Sequence, residues 1–125
     1  MTEQPKDSLN KARIAYSALD EKLGLDIRVL KIDEISVIAD YMVIASGDNP
    51  NQIRAMIDMV EERMAEAGYK SGRIEGNKNS TWILMDYEDV IVHIFSKDDR
   101  LFYDLERIWR DGQVIDLSDK GHENV

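Results

Sequence analysis

Residues Thr81 to Phe95 read TWILMDYEDVIVHIF, and this stretch decides the fold. It holds two runs of strand-forming residues, Trp82-Ile83-Leu84-Met85 and Val90-Ile91-Val92-His93-Ile94-Phe95, joined by the acidic link Asp86-Tyr87-Glu88-Asp89. β-Branched and aromatic side chains suit a pleated, packed surface, and a short polar link lets the chain reverse, so the stretch predicts a β-hairpin. Neither run alternates apolar with polar residues. Both faces of the hairpin are therefore apolar, and a face that helices leave uncovered becomes a binding surface. In an extended strand Trp82 shares a face with Leu84, while Ile83 and Met85 point the other way.

Upstream of the hairpin the spacing changes. Leu9, Ala12, Tyr16, Leu19 and Leu23 recur three or four apart, which predicts a helix from Ser8, with Ser8 or Asp7 as its cap and Gly24 just past its end. Leu25 to Ile32 reads as a strand with Leu25, Ile27 and Val29 on one face. Leu30 and Ile32 fall on the other, which requires a bulge or burial on both sides. After a linker, Asp33 to Ala39, the run Tyr41-Met42-Val43-Ile44-Ala45 is of the buried-strand kind. A second helix follows, capped by Asn49 with Pro50 at its first position, and Ile53, Met56, Ile57, Val60, Met64 and Ala67 make its apolar stripe up to Gly68. Tyr69 to Glu75 is a candidate edge strand, and Gly76 to Ser80 a polar loop.

Downstream, Ser96 and Asp99 form a capping-box-like start, and Leu101, Leu105, Ile108 and Trp109 give helical spacing to about Arg110. Asp111-Gly112 stops that helix, and Val114 to Leu117 is a final extended segment. The order α-β-β-α-β-β-β-α predicts an α/β domain built on a single mixed sheet of about five strands with about three helices. Residues 8–117 form one domain, with flexible tails at 1–7 and 118–125.

Composition limits the chemistry. A chain of 125 residues can bury about two-thirds of its unfolded surface, which suffices for a core without metal or disulfide. With no cysteine, disulfides, thiolate metal sites, iron–sulfur clusters and cysteine nucleophiles are excluded. The polar start MTEQPKDSLN has neither a signal core nor an amphipathic presequence, and no apolar run nears the roughly 18 residues of a membrane span. A soluble, cytoplasmic protein with no membrane contact is expected. Asp and Glu number 25 against 16 Lys and Arg, a net charge of −9. Such a surface repels a phosphate backbone and attracts basic partners, which counts against nucleic acid as the main ligand, although acidity also serves solubility alone.

Ser46-Gly47-Asp48-Asn49-Pro50 joins a strand to a helix N-terminus, a place where anions bind. It has a single glycine and no P-loop lysine, so a tight turn with an N-cap is the simpler reading. Asp86, Glu88 and Asp89 could hold magnesium, serve as solvated turn residues, or meet Lys or Arg on a protein partner. His93 lies in an apolar strand and His122, the other histidine, near the C-terminus, which is too little for a metal site. His93 is read as a hydrogen-bonded core or interface residue. Trp82 suits either the core or an interface anchor, and Tyr87 at the turn would extend the same patch.

Four stretches in order carry a family resemblance. They are Ile38 to Gly47, Arg73-Ile74-Glu75-Gly76, Trp82 to Tyr87 continuing through Asp89 to Phe95, and Phe102-Tyr103-Asp104-Leu105-Glu106-Arg107-Ile108-Trp109. In these the chain resembles the Iojap family, the ribosomal silencing factors of bacteria and organelles. The resemblance implies a protein that binds the large ribosomal subunit through its fourteenth protein on the intersubunit face. Bound there, it would block joining of the small subunit and repress translation when nutrients run short, as in stationary phase. It implies no enzyme activity, no cofactor and no metal, on a fold with nucleotidyltransferase-like topology whose catalytic signature is absent. Trp82, Leu84, Asp86, Tyr87 and Asp89 would be the partner-binding residues. Two other readings stand beside it: a nucleotidyltransferase-like enzyme using Ser46, Asp86 and Asp89 with magnesium, and a homodimer formed through the open sheet face.

Overall fold

The computed structural model describes residues 8–34, 39–70, 73–76, 82–97 and 113–115. The elements are α1 (Ser8–Glu21), β1 (Leu25–Lys31), β2 (Tyr41–Gly47), α2 (Pro50–Glu66), β3 (Arg73–Gly76), β4 (Trp82–Asp86), β5 (Val90–Ser96) and β6 (Gln113–Ile115). The strands form one sheet in the order β3-β4-β5-β2-β1-β6. β2 and β5 run parallel, and every other neighbouring pair is antiparallel. The sheet is mixed, as expected, with six strands rather than about five, because the final extended segment pairs with β1. Two helices are described. The third, expected after Ser96, falls beyond Lys97 outside the described residues, and Ser96 itself ends β5.

α1 and α2 cover one face of the sheet. Their Ala12, Ala15, Ala18, Leu19, Ile53, Met56, Val60 and Met64 pack on Val29, Val43, Ala45, Met85, Val92 and Ile94 in one cluster. Burying a side chain of the Leu, Ile or Met kind contributes roughly 1.5–3 kcal/mol, so this layer is the main source of stability. The buried stripe of α1 runs through Ser8, Lys11, Ala12, Ala15, Ala18 and Leu19, whereas Leu9 and Leu23 stay exposed at 37% and 76%. The expected Leu-rich stripe is therefore rotated by about one position. Small alanines allow α1 to lie close against α2 and the sheet.

Local chemistry sets the joints. The register of β1 shifts between Leu25 and Arg28, where Asp26 takes a φ of 50°, and this is the bulge that reconciles the two apolar faces of the strand. Asn49 caps α2 by accepting from the Gln52 backbone N–H at 2.8 Å, and Gly68, at φ 92°, ends the turn beyond it. Gln52 also reaches across to the turn after α1, donating to the carbonyls of Lys22 (3.1 Å) and Leu23 (2.9 Å). The left-handed residue after α1 is Leu23 (φ 63°), not Gly24. Gly24 serves close approach instead, since a Cβ there would lie 3.1 Å from both the Leu19 carbonyl and Met56 Cε.

A candidate protein-binding face

The face of the sheet away from α1 and α2 is organised by the hairpin. β4 and β5 pair Trp82 with Phe95, Leu84 with His93 and Asp86 with Ile91. β3 places Arg73 beside Asp86 and Glu75 beside Leu84, and β2 places Met42 beside Ile91 and Ile44 beside His93. Because side chains alternate, all of these project to one side. Leu30, Ile32, Ala39, Met42, Ile44, Ile91 and Phe95 form a second buried cluster there, with half-buried Trp82 and Leu84 packed against it. The face thus grades from an apolar centre to a charged edge at β3.

Trp82 is held in place. Its indole N–H donates to His93 Nδ1 at 3.1 Å. The two rings stack at 6.2 Å between centroids, and His93 stacks in turn on Phe95 at 5.9 Å. His93 is 8% exposed, and burial pushes its pKa down from 6.5 to about 4. A neutral imidazole that accepts at Nδ1 carries its proton on Nε2, so near neutral pH His93 acts as a fixed acceptor for the indole. An aromatic anchor ordered before binding loses less side-chain entropy when a partner arrives.

Beside this row lies a cavity of about 300 Å³, with Met42, Leu84, Ile91 and His93 among its walls and Arg73, Glu75 and Asp86 at its charged margin. Arg73 donates to Glu75 at 2.7 Å, and that carboxylate holds the guanidinium more firmly protonated than usual. Asp86 accepts from the Glu88 backbone N–H at 2.8 Å, closing a turn in which Glu88 adopts φ 75°.

Of the five expected partner-binding residues, the structure brings Trp82, Leu84 and Asp86 to one face and turns the other two away. Tyr87 does not extend the patch. It continues the alternation of Ile83 and Met85 onto the helix side, where it is 1% exposed within the core, and burial pushes its phenol up to about 12. Asp89 is engaged by Lys11 Nζ at 2.8 Å, and the same ammonium donates to the Tyr87 carbonyl at 3.0 Å. Lys11 therefore ties α1 to the hairpin turn. Counting alternate positions 83, 85 and 87 as one face would have placed Tyr87 correctly. Arg73, Glu75 and the stacking role of His93 were missed because they depend on strand register.

Ser46, Asp86 and Asp89, the trio of the enzyme reading, do not converge. Ser46 is buried beside Phe95, Asp86 closes its own turn, and Asp89 faces α1. Among the described residues no group of three His, Asp or Glu is placed to hold a metal. At the strand-to-helix turn, Gln52 and Asp48 N–H groups are taken by side chains, and a Cβ on Gly47 would lie 2.6 Å from Ile53 Cγ1. The helix end is thus packed and self-capped. No described helix is long and apolar enough to cross a membrane.

Comparison with known proteins bears out the resemblance read from the sequence. The family described as "Ribosomal silencing factor during starvation" matches residues 5–125. The ribosomal silencing factor RsfS of Bacillus subtilis is 37% identical over 105 residues, covering 84% of this chain and 89% of its own length. That of Zymomonas mobilis is 40% identical over 105 residues, covering 83% and 78%. A crystal structure of a protein from Chromobacterium violaceum superposes with a TM-score of 0.79 at 30% identity, covering 86% of this chain and 89% of that one.

Proposed function

This chain belongs to the ribosomal silencing factor family, and on that premise we propose that it binds the large ribosomal subunit through the subunit's fourteenth protein, on the intersubunit face. Bound there it blocks joining of the small subunit by occupying the space, and so represses translation under nutrient limitation in the cytoplasm. The mechanism is steric and needs no turnover. The sheet is related to nucleotidyltransferases in topology and is used here as a docking platform.

One observation carries the reading: a pre-ordered apolar strip, Trp82 and Leu84, lies on the sheet face that α1 and α2 leave uncovered and is bordered by Asp86 and Glu75. Ribosomal proteins are generally basic, and this chain carries a net charge of −9. An apolar anchor with carboxylates at its rim suits a basic surface with an apolar centre. Trp82, Leu84 and Asp86 make the contact, while Asp89 and Tyr87 shape the turn that presents them.

The test is co-sedimentation with purified large subunits. Trp82→Ala is expected to weaken binding by about 2 kcal/mol, roughly thirtyfold, as loss of an anchoring aromatic does. Asp86→Lys is expected to weaken it further at low salt than at high salt. A folded Trp82→Ala protein that pellets with subunits as well as wild type does would overturn the assignment.

A further inference from the structure

On the opposite side of the molecule, against the C-terminal half of α2, lies a broad concavity of about 590 Å³. Asp58, Glu61, Glu62 and Ala65 form one wall, spaced as one ridge of the helix, and Tyr69, Lys70 and Tyr87 close it. Asp58, Glu61 and Glu62 are exposed, and none of the three has an ion-pair partner among the described residues. Lys11, a buried cation over the Tyr69 ring, is already committed to Asp89 and the Tyr87 carbonyl.

Three carboxylates alone would be a solvated helix face. The second observation is Tyr87. Tyr87 is only 1% exposed, it lines the concavity, and its hydroxyl has no hydrogen-bond partner among the described residues. A buried hydroxyl left unpaired costs free energy that a ligand can recover. Glu61 and Tyr87 line the same concavity, and the Glu61 carboxylate acts on the phenol electrostatically. Tyr69 is held at the margin by Asn10, which donates to its hydroxyl at 3.3 Å, and by Lys11 Nζ, 5.0 Å from its ring centre.

We propose that this concavity binds a guanidinium group, delivered by an arginine side chain of a basic polypeptide segment. The chemistry selects among cations. No three of the acidic groups are placed to hold a metal ion. A lysine ammonium is a compact, strongly hydrated point charge. A guanidinium is planar and weakly hydrated, and its fork of donors can reach a buried phenol oxygen and carboxylates together. The inference does not rest on the ribosomal reading, because Trp82 and Leu84 lie on the other face of the sheet.

The experiment is calorimetric titration of the full chain with short blocked peptides carrying one arginine, lysine or citrulline. The arginine peptide should bind about tenfold tighter than the lysine peptide, and the citrulline peptide should give no heat. Glu61→Gln should weaken arginine binding by about tenfold, the loss of one charged hydrogen bond. Tyr87→Phe, checked for folding by circular dichroism, should weaken it by a smaller factor. Glu61→Gln, on an exposed helix face, decides the matter alone if Tyr87→Phe does not fold. Equal binding of the arginine and lysine peptides overturns the proposal. So does unchanged affinity in Glu61→Gln, or no heat from the arginine peptide at a concentration on the order of 10 mM.

Discussion

Acidification tests the aromatic row directly. His93 is 8% exposed, and burial lowers its pKa from 6.5 to about 4. In the unfolded chain the imidazole takes a proton below about pH 6.5, while in the folded chain it stays neutral until about pH 4. Between those values the unfolded state binds more protons, so stability is fully present above 6.5 and falls as the pH falls toward 4. The gap between 6.5 and about 4, at about 1.4 kcal/mol per pH unit, amounts to roughly 3 kcal/mol, a large share of a typical domain's stability. Acidification acts on the whole molecule, so the comparison is with His93→Phe, which keeps an aromatic ring in the row but cannot be protonated. At pH 7 the variant should lose about 1 kcal/mol, because the Trp82 N–H, which donates to His93 at 3.1 Å, loses its acceptor. Between pH 7 and pH 4 the wild type should lose roughly 3 kcal/mol more than the variant, read from urea unfolding followed by circular dichroism. Parallel pH profiles for the two proteins, or an NMR titration of His93 near its ordinary value, would refute the reasoning.

Lys11→Met should cost roughly 1–2 kcal/mol in urea unfolding, because the Tyr87 carbonyl and Asp89 lose their shared donor while the half-open position of Asp89 limits the loss; an unchanged midpoint would remove Lys11 from the account of how α1 is tied to the hairpin. Leu23→Gly should raise stability by about 1 kcal/mol, since Leu23 sits at φ 63° and is 76% exposed, so that relieving the left-handed backbone outweighs the little burial lost. A lowered melting temperature for that variant would show that Leu23 contributes packing its exposure does not reveal.

The element order was legible because its signals are local. The strand propensities of the two runs around Asp86–Asp89, the Asn49-Pro50 start of α2 and the glycine at 68 each act within a few residues, and each appears where expected. The pairing of Trp82 with Leu84 on one face followed from the alternation of a strand, and the family followed from stretches that occur in order along the chain. The stripe of α1 was misread because Leu9 and Leu23 looked more apolar than Ala15 and Ala18. Which side of a helix is buried depends on how closely its neighbours approach, and only the packed structure sets that distance.

The amino-acid sequence by itself determined the class of the fold, the hairpin at its centre and the family, because propensity, capping and alternation are properties of neighbouring residues. The tertiary structure decided which face of the hairpin the helices cover. It sent Tyr87 into the core and Asp89 to Lys11, and it placed Trp82 on His93 and Arg73 beside Asp86. Those outcomes depend on cross-strand register and on contacts between residues far apart in the chain, whose energies exist only once the sheet has closed.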